Sequence, residues 1–155
     1  MRKLSSKVVI DGTGHVAGRL ASIVAKRLLR GERIVVVNAE KIVVTGKPES
    51  ILALHLKRWL EWKTYYNPEK RGPKYHRTPD RLFKRMVRGM LPRDKSRGRE
   101  ALKRLEVYVG VPDEYRNAQV LKIDEAMLKN PFVQYLTLGE IYSRLSNKLL
   151  EGGSP

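Results

Sequence analysis

The chain has 155 residues, 41% of them apolar, which is enough to enclose one sizeable core. It carries 32 Lys and Arg against 16 Asp and Glu, a net charge of +16, so a polyanionic partner is expected, nucleic acid ahead of an anionic membrane surface. The absence of cysteine excludes disulfides, Cys-ligated zinc and thiol chemistry, and no apolar run nears the roughly 18 residues of a membrane span.

In chain order, the basic opening "MRKLSSK" is followed by no signal-type apolar stretch. "KVVID" is a short β-branched run that stops at a glycine turn. "HVAGRLASIVAKRLLRG" then places Val16, Leu20, Ile23, Val24 and Leu28 on one helical face, with Gly31 where a helix-ending glycine belongs. "RIVVVN" is the continuous apolar run of a parallel strand covered on both faces, which completes a right-handed βαβ unit. "KIVVTGK" is a third β-rich stretch. Pro48 opens the next helix, whose predicted apolar stripe is Ile51, Leu52, Leu56, Trp59 and Leu60.

From Lys63 to Arg104 the composition changes to fifteen Lys or Arg against four acids. This segment begins as a loop rich in Tyr, Pro and Gly. Thr78 stands as an N-cap before Pro79 and Asp80, opening a helix that turns Leu82, Phe83, Met86, Val87 and Met90 inward and Arg81, Lys84, Arg85 and Arg88 outward. A short helix is predicted over "GREALKRL", a strand over "LEVYVG" and a further short run over "AQVLKI". Thr137 and Glu140 have capping-box spacing for the last helix, and the tail 151–155 is expected to fray.

The opening βαβ unit raises the possibility of a nucleotide-dependent enzyme. Gly12, Gly14 and Gly18 are one residue too long for G-x-G-x-x-G, and Asn38 stands where a ribose-binding acid is required. Gly18 instead reads as a site of close helix–sheet packing. "VVTGKP" fails the Walker pattern at Lys41 and at Pro48. Thr45, Gly46 and Lys47 could meet a phosphate from a tight turn, although a plain strand-to-helix turn explains them better. His15, His55 and His76 lack metal-ligand spacing, and His55 reads as a packed helical residue. No nucleophile stands at a recognisable spacing from a base, so no catalytic residue, metal, cofactor or small-molecule substrate is expected.

The basic segment carries the chemistry. Its cations interleave with Trp59, Trp62, Tyr65, Tyr66 and Tyr75, rings able to stack on bases, while Arg supplies forked phosphate contacts. Trp59 reads better as core. Lys84, on the outward face of its helix, and Lys47 are candidate RNA contacts.

"VRGMLPRDKSRGREALKRLEVYVG" resembles the signature of ribosomal large-subunit protein thirteen. The core Gly89-Met90-Leu91-Pro92 is followed by Gly98-Arg99, then by Leu105, Val107, Tyr108 and Gly110 at that family's spacing. "HVAGRLAS", "VVVNAEKIVVTGK", "RGPKYHRTPDRLFKRMVRGMLP" and "VYVGVPDEY" extend the resemblance over most of the chain, in the archaeal and eukaryotic form, with the archaeal branch expected. The Gly-Tyr-Pro-Gly turn of the bacterial form is missing.

The resemblance implies a three-layer α/β/α fold around a small, mainly parallel sheet, with a basic loop-helix extension, in one domain spanning 1–155. It implies a non-enzymatic constituent of the large ribosomal subunit, in the cytoplasm, that binds ribosomal RNA beside neighbouring ribosomal proteins and supports assembly. An extraribosomal role on messenger RNA is the other possibility. RNA contact is carried over to Arg71, Lys74, His76, Arg77, Arg81, Arg85, Arg88, Arg93, Lys95, Arg97 and Arg99. Gly89, Met90, Leu91, Pro92 and Gly98 are expected to shape the turn that presents them.

Overall fold

The computed structural model describes residues 7–151. The opening six residues, and the expected tail apart from Glu151, lie outside that range. Strand β1 (Lys7–Asp11), helix α1 (Ala17–Leu29) and strand β2 (Arg33–Val37) form the expected βαβ unit, with β1 parallel to β2 from Lys7↔Arg33 to Asp11↔Val37. Strand β4 (Leu105–Val107) adds to β2 and strand β5 (Val120–Leu121) adds to β1, both parallel, giving the order β4-β2-β1-β5. The fold is therefore mixed α/β around a mainly parallel sheet. All four strands end on one edge, where the loops gather.

Alternation along the strands divides the core. Ile10, Ile34 and Val36 point to the face covered by α1 and by α3 (Pro79–Gly89), where Leu20, Val24, Leu28, Phe83 and Val87 are fully enclosed. Complete burial of one such side chain contributes about 1.5–3 kcal/mol, so this seam anchors α3 firmly. Val9, Val35 and Val37 point the other way and are covered by Tyr115, Tyr108 and Ala118 from the segment after β4. The layer on this second face is thin. It is tied down by the Lys7 ammonium, which donates to the Tyr115 hydroxyl at 2.9 Å and to Glu106 at 3.2 Å. Those two hydrogen bonds hold Lys7 above its ordinary pKa.

Strand β3 (Val43–Thr45) leaves this sheet and pairs antiparallel with strand β6 (Tyr135–Thr137). Helix α5 (Leu138–Glu151) follows directly, and its start has the expected capping box. The Thr137 N–H donates to Glu140 at 2.9 Å, and the Glu140 N–H donates to the Thr137 hydroxyl at 3.2 Å. Gly31, at φ +99°, ends α1 as the sequence indicates.

Several expectations need correcting. Gly18 is exposed, and an added Cβ would meet nothing within 4 Å, so it packs against no strand. Gly12 makes the close approach instead, since a Cβ there would lie 2.7 Å from Ile42 Cγ1 and 3.0 Å from the Asn38 carbonyl. Met90 falls one residue past α3 and is 45% exposed, while Leu91 turns inward in its place. In helix α2 (Pro48–Leu60) the buried positions are Leu52, His55 and Trp59, and Leu60 is 47% exposed. His55 thus replaces Leu60 on the apolar stripe, and burial, with Arg58 nearby, pushes its imidazole below the ordinary pKa. Thr78 occupies the N-cap position of α3 but makes no capping hydrogen bond through its side chain. Helix α4 (Ser96–Lys103) begins two residues before the predicted Gly98, and β4 ends at Val107, leaving Val109 exposed.

Candidate nucleic-acid interface

Two places are eligible for an anion: the glycine turn before α1 and the basic segment. The turn is already full. The N–H of Gly12 donates to the Val37 carbonyl at 2.8 Å, that of Thr13 to Asp11 at 3.0 Å and that of Gly14 to the Lys41 carbonyl at 3.3 Å. His15 and Val16 donate in turn to the carbonyls of Gly12 and Ala126. The N–H groups of residues 12–16 are thus spent within the protein, so the glycine loop itself has none to offer a pyrophosphate. Burial works against the Asp11 carboxylate, but hydrogen bonds from Asn38 and Thr13, with Lys122 near, hold it below the usual carboxylate range. His15 is enclosed in the same region, its Nε2 accepting the Ile123 N–H at 3.0 Å. In the second turn the Gly46 N–H donates to the Gln134 carbonyl at 2.9 Å. Lys47 beside it is exposed at the start of α2 and does not line the groove described next.

The basic segment is arranged differently. With Leu82, Phe83 and Val87 locked into the core, the 3.6-residue period leaves Arg81, Lys84 and Arg88 in solvent and Arg85 half-buried. These four line a groove of about 430 Å³ with His76, Asp80, Leu102 and Val107, one wall coming from α3 and the other from α4 and β4. The loop before α3 is fastened to that wall. Arg85 donates from Nη1 to the Lys74 carbonyl at 2.9 Å, and its guanidinium lies 4.9 Å from the centroid of the Tyr75 ring. Within the loop Arg71 sits over Tyr66 and Arg77 over the buried Trp59, at 5.9 and 5.1 Å. Gly72, at φ +92°, lets the chain pass so close to Thr64 that a Cβ would lie 2.8 Å from its methyl group.

Beyond α3, Leu91 is buried and Gly98 packs against the Pro92 carbonyl, leaving no room for a Cβ. This contact fixes the turn that carries Arg93, Lys95, Arg97 and Arg99, all four exposed. Pro92, Leu91 and Gly98 therefore shape the turn, while Met90 and Gly89 lie open. Among the described residues the ion pairs are Lys7–Glu106, Arg27–Glu32 and Arg116–Asp113, and none uses a cation between 63 and 104. Arg104 is spent internally, donating to the Leu28 carbonyl at 2.8 Å. Sequence reasoning missed Arg58. It lies on α2 with its guanidinium 5.7 Å from the Trp62 ring, and the four-residue spacing of the two was the available signal.

A model of the family described as ribosomal protein L13 matches residues 5–114. The chain belongs to the ribosomal protein L13 family. The match takes in the glycine turn, the loop, α3, α4 and the Gly89–Gly98 turn. Curated relatives named large ribosomal subunit protein uL13 include that of Pyrobaculum islandicum, 48% identical over 145 residues, covering 90% of this chain and 78% of that one. The protein from Aeropyrum pernix is 47% identical over 142 residues, covering 92% and 91%. The one from Methanosphaera stadtmanae is 44% identical over 140 residues, covering 90% and 97%. These ribosomal protein L13 relatives are archaeal, as the form of the basic segment indicates. Among the described residues no helix is long and apolar enough to cross a membrane.

Proposed function

We propose that this chain is a structural constituent of the large ribosomal subunit that binds large-subunit ribosomal RNA, next to other ribosomal proteins, and supports assembly of the particle. The observation that carries this reading is the set of cations between 63 and 104, crowded around one groove and one turn with no ion pair among the described residues to neutralise them. Arg81, Lys84, Arg85 and Arg88 serve as the floor of a phosphate track. Arg71, Lys74, His76 and Arg77 extend the track along the loop, and Arg93, Lys95, Arg97 and Arg99 along the turn. Lys47 is an outlying contact. The sheet and its helices act as the rigid platform, and release of counterions from RNA drives association. With about eight phosphates neutralised, affinity should fall on the order of a thousand-fold or more between 50 and 200 mM salt. The competing nucleotide-dependent reading finds little support in a loop whose N–H donors from Gly12 to Val16 are engaged within the protein.

Fractionation of native cell lysate on a density gradient at moderate salt tests the proposal. The protein is expected wholly in large subunits and ribosomes at its native expression level. A substantial free pool at steady state would count against it.

A further inference from the structure

Beside the phosphate track lies a smaller cavity of about 190 Å³ with a different lining. Its walls are rings: Trp59 and Trp62 from the end of α2 and the residues after it, Pro68 and Pro73 from the loop, and Tyr75. Arg58, Lys63, Lys74 and Arg77 complete it, and no carboxylate contributes. Trp62 and Tyr75 meet edge to face with centroids 6.0 Å apart, so the contact covers a face of only one of the two rings, and Arg58 and Arg85 each lie over one face of Trp62 and of Tyr75. Arg58 brings unspent hydrogen-bonding capacity, because its Nε is enclosed with no acceptor among the described residues.

The cavity is built rather than accidental. The Arg71 N–H donates to the Asn67 carbonyl at 2.9 Å, Thr64 approaches Gly72, and Arg85 holds the far end of the loop at Lys74. The loop therefore returns on itself with its prolines and Tyr75 facing Trp62. A phosphate alone has no need of five rings, and an apolar peptide would not seek four cations. A planar, polar, aromatic group carried on an anionic backbone satisfies both halves of the lining.

We propose that this cavity takes the base of one unpaired RNA nucleotide, stacked against the Trp62–Tyr75 wall, with Lys63, Lys74 and Arg77 neutralising its flanking phosphates. The proposal rests on the RNA-binding reading above and adds to it a contact that depends on a single-stranded feature of the RNA. The phosphate track gives affinity for any suitably folded strand, whereas this cavity sets the register.

Trp62 is the residue to change, because it is partly exposed and outside any helix. The full chain, as wild type, Trp62→Ala and Trp62→Phe, is titrated with protein-free large-subunit ribosomal RNA across a salt series. Loss of one stacked base should weaken Trp62→Ala about ten-fold with the slope against salt unchanged. Trp62→Phe keeps a ring face and should retain most of the affinity. A single-stranded oligonucleotide should quench wild-type tryptophan emission more strongly than a blunt duplex of the same length. Wild-type affinity in Trp62→Ala, or a salt slope that falls together with affinity, overturns the base cavity and leaves the ribosomal reading standing. Weak, salt-independent binding by the wild type itself overturns that broader reading instead.

Discussion

Three glycines of the recognised motifs behave differently once packing is known, and the difference can be measured. Gly98 meets the Pro92 carbonyl so closely that no side chain fits, and a backbone oxygen cannot swing aside. Gly98→Ala should cost about 3 kcal/mol, the upper range for overfilling a tight contact. Gly18 stands exposed in the second position of α1 with open space around it. Gly18→Ala should therefore stabilise by about 0.5–1 kcal/mol, since alanine loses less conformational freedom on entering a helix. Urea unfolding of the two variants gives both signs in one experiment. Equal effects at the two sites would show that these close contacts do not decide. Gly12 belongs with Gly98: its neighbours are Ile42 and two backbone carbonyls. Of the spacing that suggests a dinucleotide turn, Gly12 is thus required for steric reasons and Gly18 is not.

At the scale of elements, α3 couples the core to the RNA side, and its two central arginines divide the labour. Arg88 points into solvent, so Arg88→Ala should weaken RNA binding, flatten the salt slope by about one, and leave the melting temperature alone. Arg85 also pins the loop, through its bond to the Lys74 carbonyl and its place over Tyr75. Arg85→Ala should lose more affinity than Arg88→Ala and should raise amide hydrogen exchange over residues 64–76. Identical losses and unchanged exchange would mean that the loop holds its shape without Arg85. The β1–α1–β2 unit and α3 were legible because each has a clean period and a clear stop. The β3–β6 pair was not, because three-residue strands have no period, and Tyr135-Leu136-Thr137 runs straight into a capping box. Its register depends on a partner distant in sequence. Met90 was misplaced for a related reason, since the helical period was extended one residue past the last turn of α3.

For the whole molecule, charge sets two opposing responses to salt. The basic segment that holds most candidate contacts was visible in the distribution of charge, while the particular residues came from the family resemblance. Their grouping into a groove and a ring-lined cavity was not, because the loop's path fixes it, and Arg58 lies outside the basic run. The same charges repel one another in the free protein. With +16 to accommodate and three ion pairs among the described residues, self-repulsion works against the compact state. Salt shortens the screening length from about 10 Å at 0.1 M to about 3 Å at 1 M. The melting temperature of the free protein should therefore rise steadily from 0.1 to 1 M sodium chloride, as monitored by circular dichroism. Ribosomal RNA at low salt should raise it further, because a ligand of the native state adds RT ln(1 + [L]/Kd). That increment should vanish over the salt range in which the free protein gains stability, so the two curves converge. A melting temperature that falls with salt would mean that attractive pairs outweigh repulsion, leaving the cations without the electrostatic excess that RNA binding requires.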